Sequence, residues 1–186
     1  MNFLDQLPAD KRNLLVSLPY RVGLYISQSD QSGGGDSDEA EMRALDSIIT
    51  AYSQEVFGAE TVQYVIGETV QRKAEWGNWE ADFSQIERDC HTAIDVLSGA
   101  VDIKEVSAFK RHLLEIGENV ALAFREYGDN TPILEKIKMY FAFIKTKKMS
   151  RAAGERVKEW DEFINISIDE RKALQSIANA LNTTYI

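Results

Sequence analysis

Apolar residues recur along most of the chain at alternating spacings of three and four, which is the period of an amphipathic α-helix. Four stripes of this kind are Met42, Leu45, Ile49, Tyr52 and Val56; Phe83, Ile86, Cys90, Ala93 and Leu97; Val106, Phe109, Leu113, Ile116, Val120 and Tyr127; and Ile133, Ile137, Tyr140, Phe141 and Ile144. Strand-type alternation with paired turn residues is absent from the sequence. The pattern therefore predicts an all-α protein in which the stripes share a core.

Polar and conformationally special residues mark the predicted helix boundaries. Ser167 and Glu170 have the spacing of a capping box, and Asp38 suits the N-cap of another helix. Thr131 and Pro132 suit the start of a helix that follows a left-handed cap at Gly128. The predicted helices span 9–17, 19–29, 38–57, 59–74, 79–99, 103–127, 132–147, 151–164 and 168–182. Residues 1–186 contain no linker or low-complexity segment, so we expect one bundle domain of about seven to nine helices.

A short sequence occurs twice. EMRALDSII at 41–49 aligns without gaps on ERKALQSIA at 170–178, and glutamate, alanine, leucine, serine and isoleucine coincide. A candidate capping residue stands three positions before each glutamate. Two interpretations are open. One is convergence on a favourable helix start, and the other is a duplicated helix-turn-helix unit stacked about a pseudo-twofold axis.

The first copy belongs to a longer pattern. RVGLYISQSD at 21–30 is an apolar helix that ends in Ser-Asp, and an acidic turn with three glycines leads into the next helix. This arrangement resembles the repeated signature of the tellurite-resistance TerB-like family, and ISIDERKALQSIANAL at 166–181 resembles its second copy. The resemblance implies an all-helical, stress-associated protein with two similar halves and a cation-associated acidic surface. It implies no catalytic residue.

The acidic segment DQSGGGDSDEAE at 30–41 carries five carboxylates and no basic residue. Counted as a twelve-residue calcium loop from Asp30, it has its candidate ligands at positions 1, 3, 7, 9 and 12, namely Asp30, Ser32, Asp36, Asp38 and Glu41. These side chains are candidates for binding Ca²⁺ or another divalent cation. Gly34 has no side-chain oxygen at position 5, and Ser37 stands where an apolar residue is usual. The other interpretation is that the acids are solvated residues favoured by the helix dipole.

The two histidines suggest a second kind of site. Glu87 and His91 are one helical turn apart, as are His112 and Glu115. An antiparallel pairing of the two helices would bring the four side chains together as ligands for a transition metal. The alternative function is therefore a metal-dependent enzyme with its site between helices at His91 and His112. The Glu-x-x-His motif of di-iron bundles is absent, and both histidines flank apolar stripes.

Cys90 and His91 are a weak candidate for a nucleophile pair, because adjacent helical residues point about 100° apart and the imidazole cannot easily take the thiol proton. Cys90 lies on an apolar stripe, which predicts that it is a small buried hydrophobe.

Two further segments each have two interpretations. Trp76 and Trp79 flank Gly-Asn and predict either a corner of the core or an aromatic anchor for a partner. FAFIKTKKMSR at 141–151 is a basic cluster. It is either a docking patch for an acidic partner or the solvated C-terminus of a helix.

Composition narrows the class of protein. The net charge of −9 disfavours nucleic acid and anionic membranes, which attract basic surfaces. No apolar run approaches the roughly 20 residues that span a bilayer, and the N-terminus lacks the form of a secretory signal. A single cysteine fits a reducing cytoplasm. We therefore expect a cytoplasmic, non-enzymatic protein whose partner is another protein.

Overall fold

The computed structural model describes residues 2–29, 35–54, 58–79, 85–123, 133–154, 156 and 166–185, and it describes their side chains except at 35–41, 123, 133–141 and 153. Eight α-helices lie in these ranges: α1 (Ala9–Ser27), α2 (Gly35–Gln54), α3 (Glu60–Gln71), α4 (Trp76–Trp79), α5 (Ile86–Ala100), α6 (Ile103–Ala123), α7 (Ile133–Ala153) and α8 (Ile168–Ala180). Turns of 3-10 helix occur at Phe3–Gln6 and Lys73–Glu75. These ranges contain no strand, which confirms the all-α prediction.

Helices α1 and α6 form the centre of a single helical domain. Helix α1 packs against α2, α3, α5, α6 and α8. Helix α6 in turn packs against α1, α2, α3, α5 and α8. From Leu15 to Ser27, every residue of α1 except Arg21 and Tyr25 is buried. A helix that is covered on all sides belongs inside a bundle. The other helices therefore build the domain around α1 and its crossing with α6.

Pro19 lies inside α1, so the predicted helices 9–17 and 19–29 are one helix and the predicted break is wrong. Proline has no amide N–H to donate to the carbonyl of Leu15, and an interior proline costs about 3 kcal/mol. Leu15 and Leu18 are fully buried beside it. Burial of each such side chain contributes about 1.5–3 kcal/mol. Packing at the centre of the bundle therefore outweighs the cost of the proline.

The predicted stripes of α2, α5 and α6 face the core wherever their side chains are described. The buried members are Leu45, Ile49, Ile86, Cys90, Ala93, Leu97, Val106, Phe109, Leu113, Ile116 and Val120. The stripe of α7 is wrong at Ile144, whose side chain is 46% exposed while that of Phe143 is buried. Residues 139–144 are all apolar, so their spacing does not select one face of the helix.

Ser167 is the N-cap of α8 and confirms the predicted capping box. Its hydroxyl accepts from the amide of Glu170 at 3.1 Å, and the carboxylate of Glu170 accepts from the amide of Ser167 at 2.8 Å. Helix α2 begins at Gly35, so Asp38 is inside the helix and the predicted cap there is wrong. Carboxylates in a first turn stabilise the helical state through the dipole, which favours extending α2 upstream.

Helix α7 continues through the break predicted between 147 and 151. No glycine or proline occurs in that interval to stop it. Gly154 ends the helix in a left-handed conformation with φ of 71°, and its amide donates to the carbonyl of Arg151 at 3.3 Å. The boundary residues Gly128, Thr131 and Pro132, with most of the predicted helix 151–164, lie outside the described residues.

Candidate functional site

The acidic segment contributes the first seven residues of α2, 35–41. Asp30 and Ser32 lie outside the described residues, and the backbone is helical from Gly35 onward. Positions 6 to 12 of the calcium-loop count are therefore helical, whereas an EF-hand has a sharp turn at its position-6 glycine. Asp38 and Glu41 are spaced by three and stand one turn apart on this helix. The ligand set Asp30, Ser32, Asp36, Asp38 and Glu41 remains a prediction.

The two histidines do not share a site. His91 is exposed, and its Nδ1 lies 3.3 Å from Asp95 Oδ2 on the same helix. His112 is buried, and its Nδ1 donates to the carbonyl of Ala108 at 2.7 Å. Among the residues that the structure describes, no three His, Cys, Asp or Glu side chains converge to hold a metal ion.

Partners on other helices explain this separation. The ring of His112 meets the ring of Tyr52 on α2 edge to face, with centroids 6.4 Å apart. Glu87 instead accepts a hydrogen bond from the hydroxyl of Ser176 on α8. Glu115 lies 3.8 Å from His112 on the same helix, but Glu87 and His91 have partners elsewhere. The predicted cluster of Glu87, His91, His112 and Glu115 is therefore wrong.

Cys90 is a core residue, as predicted. Its side chain is fully buried, and burial raises the pKa of the thiol to about 12. Burial is the largest cause of this shift, which Arg21 opposes and the carboxylates of Asp89 and Glu87 favour. Arg21 forms an ion pair of 2.7 Å with Asp89. A thiol with so high a pKa is a poor nucleophile at neutral pH.

The tryptophan pair forms a corner of the core, which confirms the first of its two interpretations. Trp76 is buried and stacks on Tyr20 with ring centroids 4.6 Å apart. Its indole N–H donates to the carbonyl of Thr69 at 2.9 Å. Trp79 is half-buried and meets the edge of Tyr20 at 6.3 Å. Arg72 covers the outer side of Trp79 at 5.5 Å from the ring centroid.

Gly23 is a point of close approach between α1 and its neighbours. A Cβ atom built there would overlap Leu45 Cδ1 and would lie 3.4 Å from Val120 Cγ2. Helix α2 therefore packs against the backbone of α1 with Leu45 as the contacting side chain. Sequence reasoning did not single out this glycine, because nothing local distinguishes it from a glycine on an open helix face.

Gly117 repeats the arrangement in α6. A Cβ atom there would lie 3.0 Å from Leu174 Cδ2 and 3.1 Å from Ile26 Cγ1. Leu174 is the residue that aligns with Leu45 in the repeated sequence. We call the packing at Gly23 and at Gly117 the glycine contacts.

The glycine contacts are reciprocal. Ile26 follows Gly23 by three residues and packs on Gly117, whereas Val120 follows Gly117 by three residues and packs on Gly23. In each of the pairs α1–α2 and α6–α8, a leucine of the second helix packs on a glycine of the first. The residue three positions after each glycine packs on the other glycine. This correspondence favours the duplicated unit over independent convergence, because convergence on a good helix start would not require matching partners. Helix α7 is an insertion within the second pair.

A cleft opens between α7 and α8. Each helix lines it with four residues spaced i, i+3, i+4 and i+7, starting at Ala142 and at Ile168. Its cationic side chains are Lys145, Arg171 and Lys172. It encloses about 190 Å³ and is bounded also by Tyr185. We call it the α7–α8 cleft.

Tyr185 fixes one end of this cleft. Its hydroxyl donates to Glu118 Oε1 at 3.2 Å, and burial is the main reason that its pKa is raised. The basic cluster at 141–151 pointed to the α7 side of the cleft. Arg171 and Tyr185 carried no comparable signal, since their position beside α7 depends on tertiary packing.

Within the described ranges, none of the helices combines the length and apolar character that crossing a bilayer requires. Comparisons with protein-family models, with curated proteins and with solved structures found no match for this chain.

Proposed function

We propose that this chain is a non-enzymatic, cytoplasmic interaction protein of the TerB-like type, associated with stress, which binds a divalent cation through the acidic segment 30–41. The observation that carries the proposal is the pair of reciprocal glycine contacts. The TerB-like resemblance implies two similar halves, and the packing at Gly23 and Gly117 supports such a duplication. A duplicated helical scaffold suits binding, and function depends on the side chains placed on it.

The chemistry of the segment supports a hard cation. Carboxylate oxygens are preferred ligands of Ca²⁺, which takes six to eight oxygens. Asp38 and Glu41 are one turn apart on α2, so one ion between them is sterically reasonable. Asp30 and Ser32 precede the helix by a few residues and would supply further oxygens, with water completing the shell. The helical start at Gly35 favours a modest affinity over that of a full EF-hand loop.

Calorimetric titration with CaCl₂ tests the cation site. We expect binding heat from the wild-type chain and its loss in the double variant Asp30→Ala plus Glu41→Ala. The control is Asp10→Ala plus Asp95→Ala, which removes the same charge from exposed positions elsewhere. A thermal melt should show stabilisation by Ca²⁺ in the wild type and control, because an ion that binds only the folded state raises the melting temperature.

Two results would refute the cation site. One is the absence of binding heat at millimolar Ca²⁺. The other is equal binding by the two double variants, which would indicate general attraction to an acidic surface rather than a site at 30–41.

A further inference from the structure

We propose that the α7–α8 cleft binds an acidic peptide segment of a partner protein. One apolar side chain of the peptide enters the cleft, and flanking carboxylates pair with Lys145, Arg171 and Lys172. This inference rests on the proposed role as an interaction protein, but it does not depend on the cation site.

The charge distribution selects an acidic ligand. Residues 133–156 contain seven Lys and Arg and two Glu, in a chain whose net charge is −9. Helix α8 has as many acids as cations, but the described residues that line the cleft include its two cations and no carboxylate. An extended polyanion would also meet the acidic remainder of the chain and be repelled. A short acidic peptide confined to the cleft gains the attraction without that repulsion.

The cationic groups of the cleft attract carboxylates. Arg171 adds the positive charge of a guanidinium to the α8 wall. Lys172 now pairs with Asp169 at 2.7 Å, with 71% and 60% of the two side chains exposed. An ion pair so exposed is worth about 0–1 kcal/mol, so a peptide carboxylate can replace it at small cost.

The apolar part of the cleft explains why the ligand also carries an apolar side chain. Met149 is 42% exposed on the α7 wall, and Ile168 lies half-buried on the α8 wall. Methionine adapts its shape to different partners because its side chain is unbranched and flexible. The volume of about 190 Å³ is below the roughly 300–1,000 Å³ of small-molecule sites. It therefore suits one side chain of a peptide better than a whole metabolite.

Lys147 provides an internal contrast. It lies on α7 between residues of the cleft, but its ammonium group covers the ring of Phe143 at 5.2 Å from the centroid. It is absent from the cleft lining. Of the cations in the basic cluster, Lys145 lines the cleft, whereas Lys147, Lys148 and Arg151 do not. A binding experiment can separate these two groups.

Fluorescence anisotropy with a labelled peptide tests the proposal. The probe is a fluorescein-labelled peptide in which one phenylalanine is flanked on both sides by glutamates. We expect saturable binding to the full chain that weakens as salt rises. The charge reversal Lys145→Glu plus Lys172→Glu should weaken binding by about tenfold or more, since it replaces attractive pairs with repulsive ones. The matched control is Lys11→Glu plus Lys104→Glu, which makes the same change in net charge away from the cleft, where Lys104 is exposed and the Lys11 side chain is 41% exposed.

Two altered probes separate the contributions of the peptide. Replacing its glutamates with glutamines should abolish binding, and replacing its phenylalanine with serine should weaken it several-fold. Equal loss in both charge-reversal variants would refute the cleft, as would no binding by the wild-type chain.

Circular dichroism of each variant checks that it is folded, and Met149→Glu provides a second variant if the first pair is not. Repeating the titration in EDTA distinguishes peptide binding at the cleft from any effect of the cation site, because only the cation site requires the metal.

Discussion

Glu105, in the first turn of α6, accepts a hydrogen bond of 2.7 Å from the amide of Thr61 and thereby caps a different helix, α3. The same carboxylate accepts from the amide of Glu60 at 3.3 Å. Ala59, the N-cap residue of α3, has no side-chain oxygen with which to do this. Amides in the first turn of a helix have no partner within the helix. Glu105 therefore supplies the missing acceptor and ties α3 to α6.

Replacing Glu105 with alanine should remove this cap. We expect the free energy of unfolding to fall by about 1 kcal/mol, within the roughly 0.5–2 kcal/mol typical of lost N-caps. Urea unfolding monitored by circular dichroism measures the change. Glu115→Ala is the control on the same helix, where Glu115 makes long contacts of 3.6 Å with Arg111 and 3.8 Å with His112. A loss of stability no larger than that of the control would contradict the capping role.

Filling a glycine contact should destabilise the domain. Gly117→Leu places a side chain where Leu174 and Ile26 already lie within 3.1 Å of a Cβ position. We expect a loss of about 1–3 kcal/mol, the usual cost of overpacking. Gly67→Leu is the matched control, because no atom lies within 4 Å of a Cβ at Gly67 in α3. The control should be neutral or slightly stabilising, since leucine favours helix more than glycine does.

Trp76 should contribute more to stability than Trp79. Truncating Trp76 to alanine removes its stacking on Tyr20 and leaves a cavity, so we expect a cost of about 3–5 kcal/mol. Trp79→Ala should cost less, because Trp79 is only half-buried. Parallel urea titrations of the two variants give the comparison. Equal losses would contradict this ranking and would show that Trp79, with its Arg72 contact, stabilises the corner as much as Trp76 does.

Cys90 should be protected from alkylation in the folded chain. At pH 8 we expect iodoacetamide to label it slowly in buffer and rapidly in urea, because the thiol is buried and its pKa is raised to about 12. Mass spectrometry over time measures the labelling. Fast labelling in buffer that matches the rate in urea would show that the core around α5 opens readily.

The raised pKa of the Cys90 thiol also has a consequence for stability at high pH. The unfolded thiol ionises near pH ~8.5, below its folded pKa of about 12. The contribution of the neutral thiol to stability is therefore complete below pH ~8.5 and is lost as pH rises toward 12. Unfolding free energies measured between these values should fall more steeply in the wild type than in Cys90→Ala. Parallel slopes would contradict the assigned burial.

Features that depend on neighbouring residues in the sequence could be predicted. The buried faces of α2, α5 and α6 follow from local periodicity, and the capping box at Ser167 from a four-residue pattern. The burial of Cys90 followed from its place on a stripe. In each case the interaction that determines the feature is either local to one helix or is burial against the core, which does not depend on particular partners.

Features that depend on tertiary placement could not be predicted. Glu105 caps a helix 44 positions earlier in the chain, which no local pattern indicates. Pro19 is tolerated only because α1 occupies the centre of the bundle. The histidine cluster failed for the same reason, since the rotation of α5 and α6 relative to α2 and α8 decides which side chains meet. The ligands of the acidic segment stay a prediction, and its residues 35–41 lie in α2.

The reciprocity of the glycine contacts has a consequence for folding. Val120 completes the packing at Gly23, and Ile26 completes the packing at Gly117, so neither half contains all the atoms of its own central contact. A chain divided between α4 and α5 should give two fragments that are poorly ordered alone and that assemble when mixed. Fragment complementation of this kind would show that the halves form one cooperative unit, in which neither is an autonomous subdomain.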